Sequence, residues 1–182
     1  EFIAHAKANP GKLNYASQGN GSLSHVGTAL LEQTTGIEMT HVPYKGSGPA
    51  IQDVLAGQVQ VFMTTPPSVM QHVQAGKLKA YAVTGKARHP GLPNVPTTAE
   101  AGLSGFEAAM LSTFSGRGTP SAVVQTLTEK VQAALATPEA KSAAERAGIE
   151  VRYLGPDALA ALVQRETTYW GQLIKSRNIQ AD

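Results

Sequence analysis

Three short segments gather residue types that can seat an anion: Ser17-Gln18-Gly19-Asn20-Gly21-Ser22, Tyr44-Lys45-Gly46-Ser47 and Thr64-Thr65-Pro66-Pro67-Ser68. Each stands between an apolar run and a stretch of helical period. The first four backbone N–H groups of a helix have no partner within it, and the aligned peptide dipoles add partial positive charge there. A carboxylate at such a terminus is therefore stabilised without a basic side chain. Glycine lets a ligand approach the main chain, and the hydroxyls of Ser17, Ser22, Thr64 and Thr65 add neutral donors. Gly, Ser and Thr also build ordinary strand-to-helix turns where nothing binds, so one such loop alone says little and the argument rests on three together. The candidate ligand-binding set is Ser17, Gly19, Asn20, Gly21, Ser22, Tyr44, Thr64 and Thr65. Lys45 reads as a solvated loop lysine. His25, one turn into the following helix, is either within reach of a ligand or engaged in helix contacts. Tyr169 and Trp170, beside Leu173 and Ile174, read as core.

Other chemistries find little support. The candidate loops hold no Gly-x-Ser-x-Gly elbow, Walker loop or spaced carboxylate pair, so binding without catalysis is expected. Gly19-x-Gly21-x-x-Ser24 resembles part of a dinucleotide fingerprint. However, the last glycine is missing, and the strand ending Thr40-His41-Val42 brings no acid for a ribose. The chain has no cysteine, which excludes disulfides, thiolate metal sites and cysteine nucleophiles. Its five histidines lie far apart in sequence, each read as a surface or core residue, so neither metal nor cofactor is expected. Fifteen basic and 13 acidic residues are spread without blocks of like charge, which argues against a nucleic-acid partner.

These loops need a scaffold that brings them to one edge. Punctuation and hydrophobic period predict a helix over Phe2 to Ala8, stopped by Asn9-Pro10-Gly11, and a strand over Leu13 to Ala16. A helix from Leu23 to Gln33 ending near Gly36 and a strand from Met39 to Val42 follow. Next come a helix from Ala50 to Ala56, a strand from Val59 to Met63, a helix to Ala75 stopped at Gly76, and a strand from Lys79 to Thr84. A loop from Lys86 to Pro96 leads to a short capped helix at Thr97-Thr98-Ala99-Glu100. Strands alternating with helices imply a parallel sheet covered on both faces, with the three loops on the rim at the strands' carboxyl ends. An extended segment from Phe106 to Ser115 then leads to helices near Ala122 to Ala136, Pro138 to Ala147 and Pro156 to Arg177, with Glu150 to Tyr153 strand-like. One short strand cannot cover three helices.

The residues also resemble a known family. Asn9 to Ser17, Gly19-Asn20-Gly21-Ser22, His25, and His41-Val42-Pro43-Tyr44-Lys45-Gly46 are similar to the Bug family, the TctC-like extracytoplasmic solute receptors of tripartite tricarboxylate transporters. Leu55 to Gln60, Ala75 to Leu78, Ala82 to Thr84, Leu92 to Thr97, Ala99 to Gly102, Gly118 to Pro120, Trp170-Gly171 and Ile179 to Asp182 continue the likeness in order. The resemblance implies an α/β, type II periplasmic-binding-protein-like fold that holds a small carboxylate between two lobes. Residues 12–112 would form one complete parallel-sheet βαβ lobe, and 1–11 with 113–182 the mostly helical remainder of the other. It further implies a periplasmic receptor that delivers a small organic acid to membrane transporter subunits, and a signal segment and first-lobe sheet preceding Glu1. Relatives often carry Asp-Asn where Thr64-Thr65 stand, so a ligand without an amine is favoured here. The usual return strand is replaced by Met110 to Arg117, to which no ligand contact is assigned. Uncovered helix faces imply self-association or pairing with an N-terminal segment. Competing readings are an effector-sensing lobe of a transcriptional regulator, an enzyme on the same scaffold, and a degenerate fragment that binds nothing.

Overall fold

The computed structural model describes residues 1–108, 118–149 and 151–181. Helix α1 (Phe2–Ala8) leads into strand β1 (Asn14–Ser17), helix α2 (Leu23–Thr35), strand β2 (Thr40–Pro43), helix α3 (Ser47–Leu55), strand β3 (Val61–Phe62) and helix α4 (Pro66–Gln74). After the loops of residues 75–108, helices α5 (Ser121–Ala136), α6 (Pro138–Ala147) and α7 (Pro156–Ser176) complete the described chain.

The strands form one sheet in the order β2-β1-β3. Both pairings are parallel: Asn14 to Ser17 lie against Thr40 to Pro43, and Tyr15 and Ala16 against Val61 and Phe62. Alternation along the strands sorts side chains onto two faces. Ala16 packs with Ala50 of α3, Val59 and Phe62. The residue after Phe62, Met63, packs on the opposite face against Val26 and Leu30 of α2, Phe106 and Leu173 of α7. The sheet is thus covered on both sides, as the alternating pattern requires.

Local chemistry sets the helix ends. The Ser22 hydroxyl caps α2 by accepting the His25 N–H (3.4 Å), and Gly36, left-handed at φ 68°, closes it. Helix α6 begins at Pro138 behind a Thr137 cap and ends at left-handed Gly148. Helix α3 starts three residues before the expected Ala50, because Gly48 and Pro49 fit its first turn.

Other expectations shift. The third strand shortens to Val61–Phe62. The strand expected over Lys79 to Thr84 reduces to a single parallel bridge between Val83 and Thr97, since Val83 pairs with the 96–98 loop: its N–H donates to Pro96 O and its carbonyl accepts from Thr98. At Thr97 to Glu100 the reciprocal capping bonds form, Thr97 N–H to Glu100 Oε2 (2.8 Å) and Glu100 N–H to Thr97 Oγ1 (3.1 Å), yet they close turns and not a helix. The expected extended run beyond Ala108, including Met110 to Arg117, lies outside the described residues, as does Glu150; Val151 to Tyr153 carry no strand assignment. Trp170 packs against the α2–α7 core and donates from its ring N–H to Glu166 (2.9 Å), whereas Tyr169, also expected in the core, is 46% exposed.

Helices α5 and α6 bury none of their residues fully. Val123, Leu127, Ile149 and Val163 stand among the exposed large apolar side chains. No helix of the described residues is long and apolar enough to cross a membrane.

Candidate functional site

Because both strand pairings are parallel, the turns after β1, β2 and β3 leave the sheet at the same edge. The first two are bonded to each other. Tyr44 N–H donates to Ser17 O (3.0 Å), Gly46 N–H to Gln18 O (3.3 Å) and the Gln18 side-chain amide to Ser47 Oγ (2.6 Å). The second turn opens α3 through Gly46, whose φ of 96° and ψ of −177° only glycine adopts without strain.

In the first turn the hydroxyls largely serve the backbone. Ser17 is fully buried; its Oγ lies 2.6 Å from His41 Nε2, accepts the Gly19 N–H (3.2 Å) and lies 3.1 Å from Gly19 O. Ser22 Oγ donates to Gly19 O (2.7 Å) and lies 3.0 Å from Ser24 Oγ, which accepts the Gln18 N–H (2.9 Å). Gly19 and Gly21 both sit at positive φ, 127° and 73°. A side chain at Gly21 would be crowded as well as strained by the positive φ, since a β-carbon there would lie 3.2 Å from Ala181 Cβ. The Gly21 N–H donates to His25 Nδ1 (3.3 Å).

Tyr44 turns its hydroxyl toward α3, donating to Asp53 Oδ2 (2.7 Å); burial first and that carboxylate second raise its pKa above the ordinary tyrosine range. Lys45 is exposed. The third turn opens α4 at Pro66, with Thr65 at the cap position and its hydroxyl 3.3 Å from Ser68 Oγ. Thr64 Oγ1 is buried and, among the described residues, has no hydrogen-bond partner.

One broad hollow runs past all three turns, taking in Gln18 and Ser24, Ser47, and Thr64, Thr65 and Ser68, and extends to Lys77, Lys79, Lys86, Arg88 and Arg152. Of the residues singled out from sequence, Thr64 and Thr65 line it. Ser17, Gly19, Asn20, Gly21, Ser22 and Tyr44 are absent from its lining and instead build the turns behind it. Ser24, Ser47 and Ser68 were not singled out individually, although a hydroxyl in the first turn of a helix that follows a strand is the signal that marks all three. The hollow continues between apolar side chains of α5 and α7, including Leu127, Val131, Leu159 and Val163. Among the described residues, no group of three or more His, Asp or Glu side chains is placed to hold a metal ion.

Residues 1–179 match the family profile TctC, described as the tripartite tricarboxylate transporter family receptor. The protein encoded in the tcbD–tcbE intergenic region of Pseudomonas sp. strain P51 is 39% identical over 184 residues, covering all of this chain and 55% of that protein. Among solved structures, R. palustris Rpa4515 with adipate superposes with a TM-score of 0.87 at 33% identity, over 98% of this chain and 60% of the other. MatC from Rhodopseudomonas palustris with bound malate gives 0.80 at 32% identity, over 95% and 60%. The fold is thus that of periplasmic binding proteins, and the chain spans between a half and two thirds of the length of each of these three proteins.

Proposed function

Since the chain belongs to the tripartite tricarboxylate transporter receptor family, whose members are solute-binding receptors and not enzymes, we propose that it captures a small organic acid in the periplasm and presents it to the membrane subunits of such a transporter. The observation that carries this reading is the convergence of three strand-to-helix turns on one hollow, in a fold whose solved relatives include one with adipate and one with malate.

The seat is built from main-chain N–H groups at the starts of α2 and α3, with Thr64 and Thr65 offering hydroxyls from the third turn, because α4 opens on Pro66 and Pro67, which carry no N–H. The N–H groups of Gly19, Gly21 and Ser22 donate within the turn, to Ser17 Oγ, His25 Nδ1 and Gly19 O, so the turn shapes the seat and the first residues of α2 supply its amides. Ser17 and Tyr44 contribute by holding the turns, because their hydroxyls are engaged with Gly19 and His41 and with Asp53. The lining from these turns is neutral, and among the charged side chains of the wider hollow five are basic, Lys77, Lys79, Lys86, Arg88 and Arg152, against Glu1 and Glu107, a balance that suits a ligand bearing carboxylates and no amine. The described residues from 12 to 108 act as one lobe. The apolar faces of α5 and α7 are covered either by a further segment of the fold, such as the longer relatives possess, or by a second copy of the chain.

Calorimetry and thermal shift with adipate, malate and a primary amine of similar length test the reading. Heat release and a raised melting temperature with the acids alone are expected. Absence of both with every acid overturns it. Light scattering tests the covering of α5 and α7: self-association is expected for this chain alone, and a monodisperse monomer overturns that part.

A further inference from the structure

The turn after β1 is governed by two histidines that sequence spacing does not associate. His41 on β2 lies beside Tyr15 on β1, its register partner, with ring centroids 4.8 Å apart and planes 20° from parallel. His25, from the first turn of α2, stacks on His41 at 3.9 Å and 26°. Both imidazoles reach into the turn. His41 Nε2 meets Ser17 Oγ at 2.6 Å, and that oxygen accepts the Gly19 N–H; His25 Nδ1 accepts the Gly21 N–H directly. The two positive-φ glycines of the turn are therefore tied to one ring pair, Gly19 through Ser17 and Gly21 without an intermediary.

A glycine-rich turn has unusual backbone freedom, and with the Gly19 and Gly21 N–H groups committed to Ser17 and His25 the approach to the start of α2 is held in one shape before any ligand arrives. Ring stacking fixes the distance between the two tethers, so Gly19 and Gly21 are held relative to each other as well as to the sheet. Tyr15, 3% exposed, anchors the far side of His41; its pKa is pushed well above the ordinary range, chiefly by burial, with Glu32 raising it and Arg177 opposing. Ala181 closes the outer side of Gly21.

We propose that His25 and His41 are positioning residues, a stacked imidazole clamp that fixes the Ser17 to Ser22 turn in its ligand-receiving shape. The proposal rests on the reading that this turn belongs to a carboxylate site. It gives the histidines no contact with the ligand.

The test compares His25→Leu and His41→Leu with His25→Asn, whose amide oxygen stands near the position of Nδ1, and His41→Gln, whose amide nitrogen stands near that of Nε2. Amide hydrogen exchange at Gly19 and Gly21 is read by NMR without any ligand, and adipate affinity by calorimetry. The leucine variants should exchange about tenfold faster at the glycine they release, the loss expected for one hydrogen bond, and bind adipate more weakly. The asparagine and glutamine variants should stay close to the parent in both. Unchanged exchange in folded leucine variants overturns the proposal. So does equal loss in all four variants, which would mark the rings as packing alone. If the leucine variants do not fold, fast exchange in the asparagine and glutamine variants overturns it and parent-like exchange supports it. If the parent itself binds no acid, the receptor reading fails while the exchange measurements still decide the clamp.

Discussion

Replacing Thr64 with valine separates the needs of the fold from those of the ligand. The substitution is nearly isosteric, so it leaves packing in place and removes one hydroxyl. That hydroxyl is buried at the hollow shared by the three turns and has no partner among the described residues. Leaving a buried polar group unpaired costs about 1–3 kcal/mol, so Thr64→Val should stabilise the ligand-free chain by about that much. For a chain of this size, each kcal/mol moves the melting temperature by about 2–4 °C. If the hydroxyl donates to a bound carboxylate, its loss removes a hydrogen bond to a charged group. Those contribute about 1.5–3 kcal/mol, or roughly ten- to a hundredfold in affinity. Scanning calorimetry without ligand and titration with adipate or malate should therefore move in opposite directions: a higher melting temperature and a weaker complex. A variant that melts lower than the parent, or binds as tightly, refutes the assignment of Thr64 as a ligand donor.

Ser17→Ala should behave differently, because the hydroxyl it removes serves Gly19 and His41. A loss of about 1–3 kcal/mol in urea unfolding is expected together with weaker acid binding, and weaker binding at unchanged stability would instead point to direct ligand contact. Leu173→Ala opens a cavity among Val26, Leu30 and Phe106 where α7 meets α2. Denaturant titration should show a cost of about 2–5 kcal/mol, and a cost under about 1 kcal/mol would mean that α7 is not docked there. The Glu32 carboxyl has its pKa raised, chiefly by burial, against the lowering effects of the Met39 N–H bond and Arg177. A carboxyl with a raised folded pKa binds its proton more tightly in the folded state. That advantage is full at acid pH and is lost as pH rises from the unfolded value through the folded one. Glu32→Gln keeps an oxygen for Met39 N–H and cannot titrate, so its stability relative to the parent should improve from pH 4 to pH 7; parallel curves would contradict this. A seat of amides and hydroxyls also implies that adipate affinity changes by less than about threefold when salt rises across the physiological range, because partly buried dipoles are weakly screened. A steep loss would reveal a dedicated cation.

Helices α2 and α6 were legible because they carry their own punctuation. Ser22 and Gly36 bracket α2, and Pro138 and Gly148 bracket α6, through capping and left-handed turns that depend only on neighbouring residues. Strands were less so. Lys79 to Thr84 has the composition of a strand, but strand pairing depends on what lies alongside, and Val83 found its partner at Thr97 in a loop. The rim was readable as three turns, since strand-to-helix connections in a parallel sheet must share an edge. Which way each hydroxyl points was not readable. Ser17 faces inward because alternation along β1 places it with Tyr15 on the α2 side, where His41 waits. The meeting of His25 and His41 depends on the register of β1 with β2 and on the docking of α2. No spacing rule along the chain encodes either.

The same helix that presents the amides is also the most deeply held. At its start α2 offers unpaired N–H groups and the Ser22 cap; one turn later Val26, and then Leu30, enter the core with Leu173 of α7. Thr28, fully buried between them, donates to Ser24 O within the same helix and so adds no unpaired polar group to that core. The positive end of the helix dipole is therefore fixed by contacts that do not involve the rim. A ligand carboxylate need not order the helix on arrival, and little binding energy is spent on conformational entropy. In the proposed receptor, differences between acids then rest on the side chains at the edge, Thr64, Thr65 and Ser68 from one turn and Gln18 and Ser47 from the others, all lining the same hollow. On the proposed function, selectivity among carboxylates would belong to those short side chains and capture to the backbone.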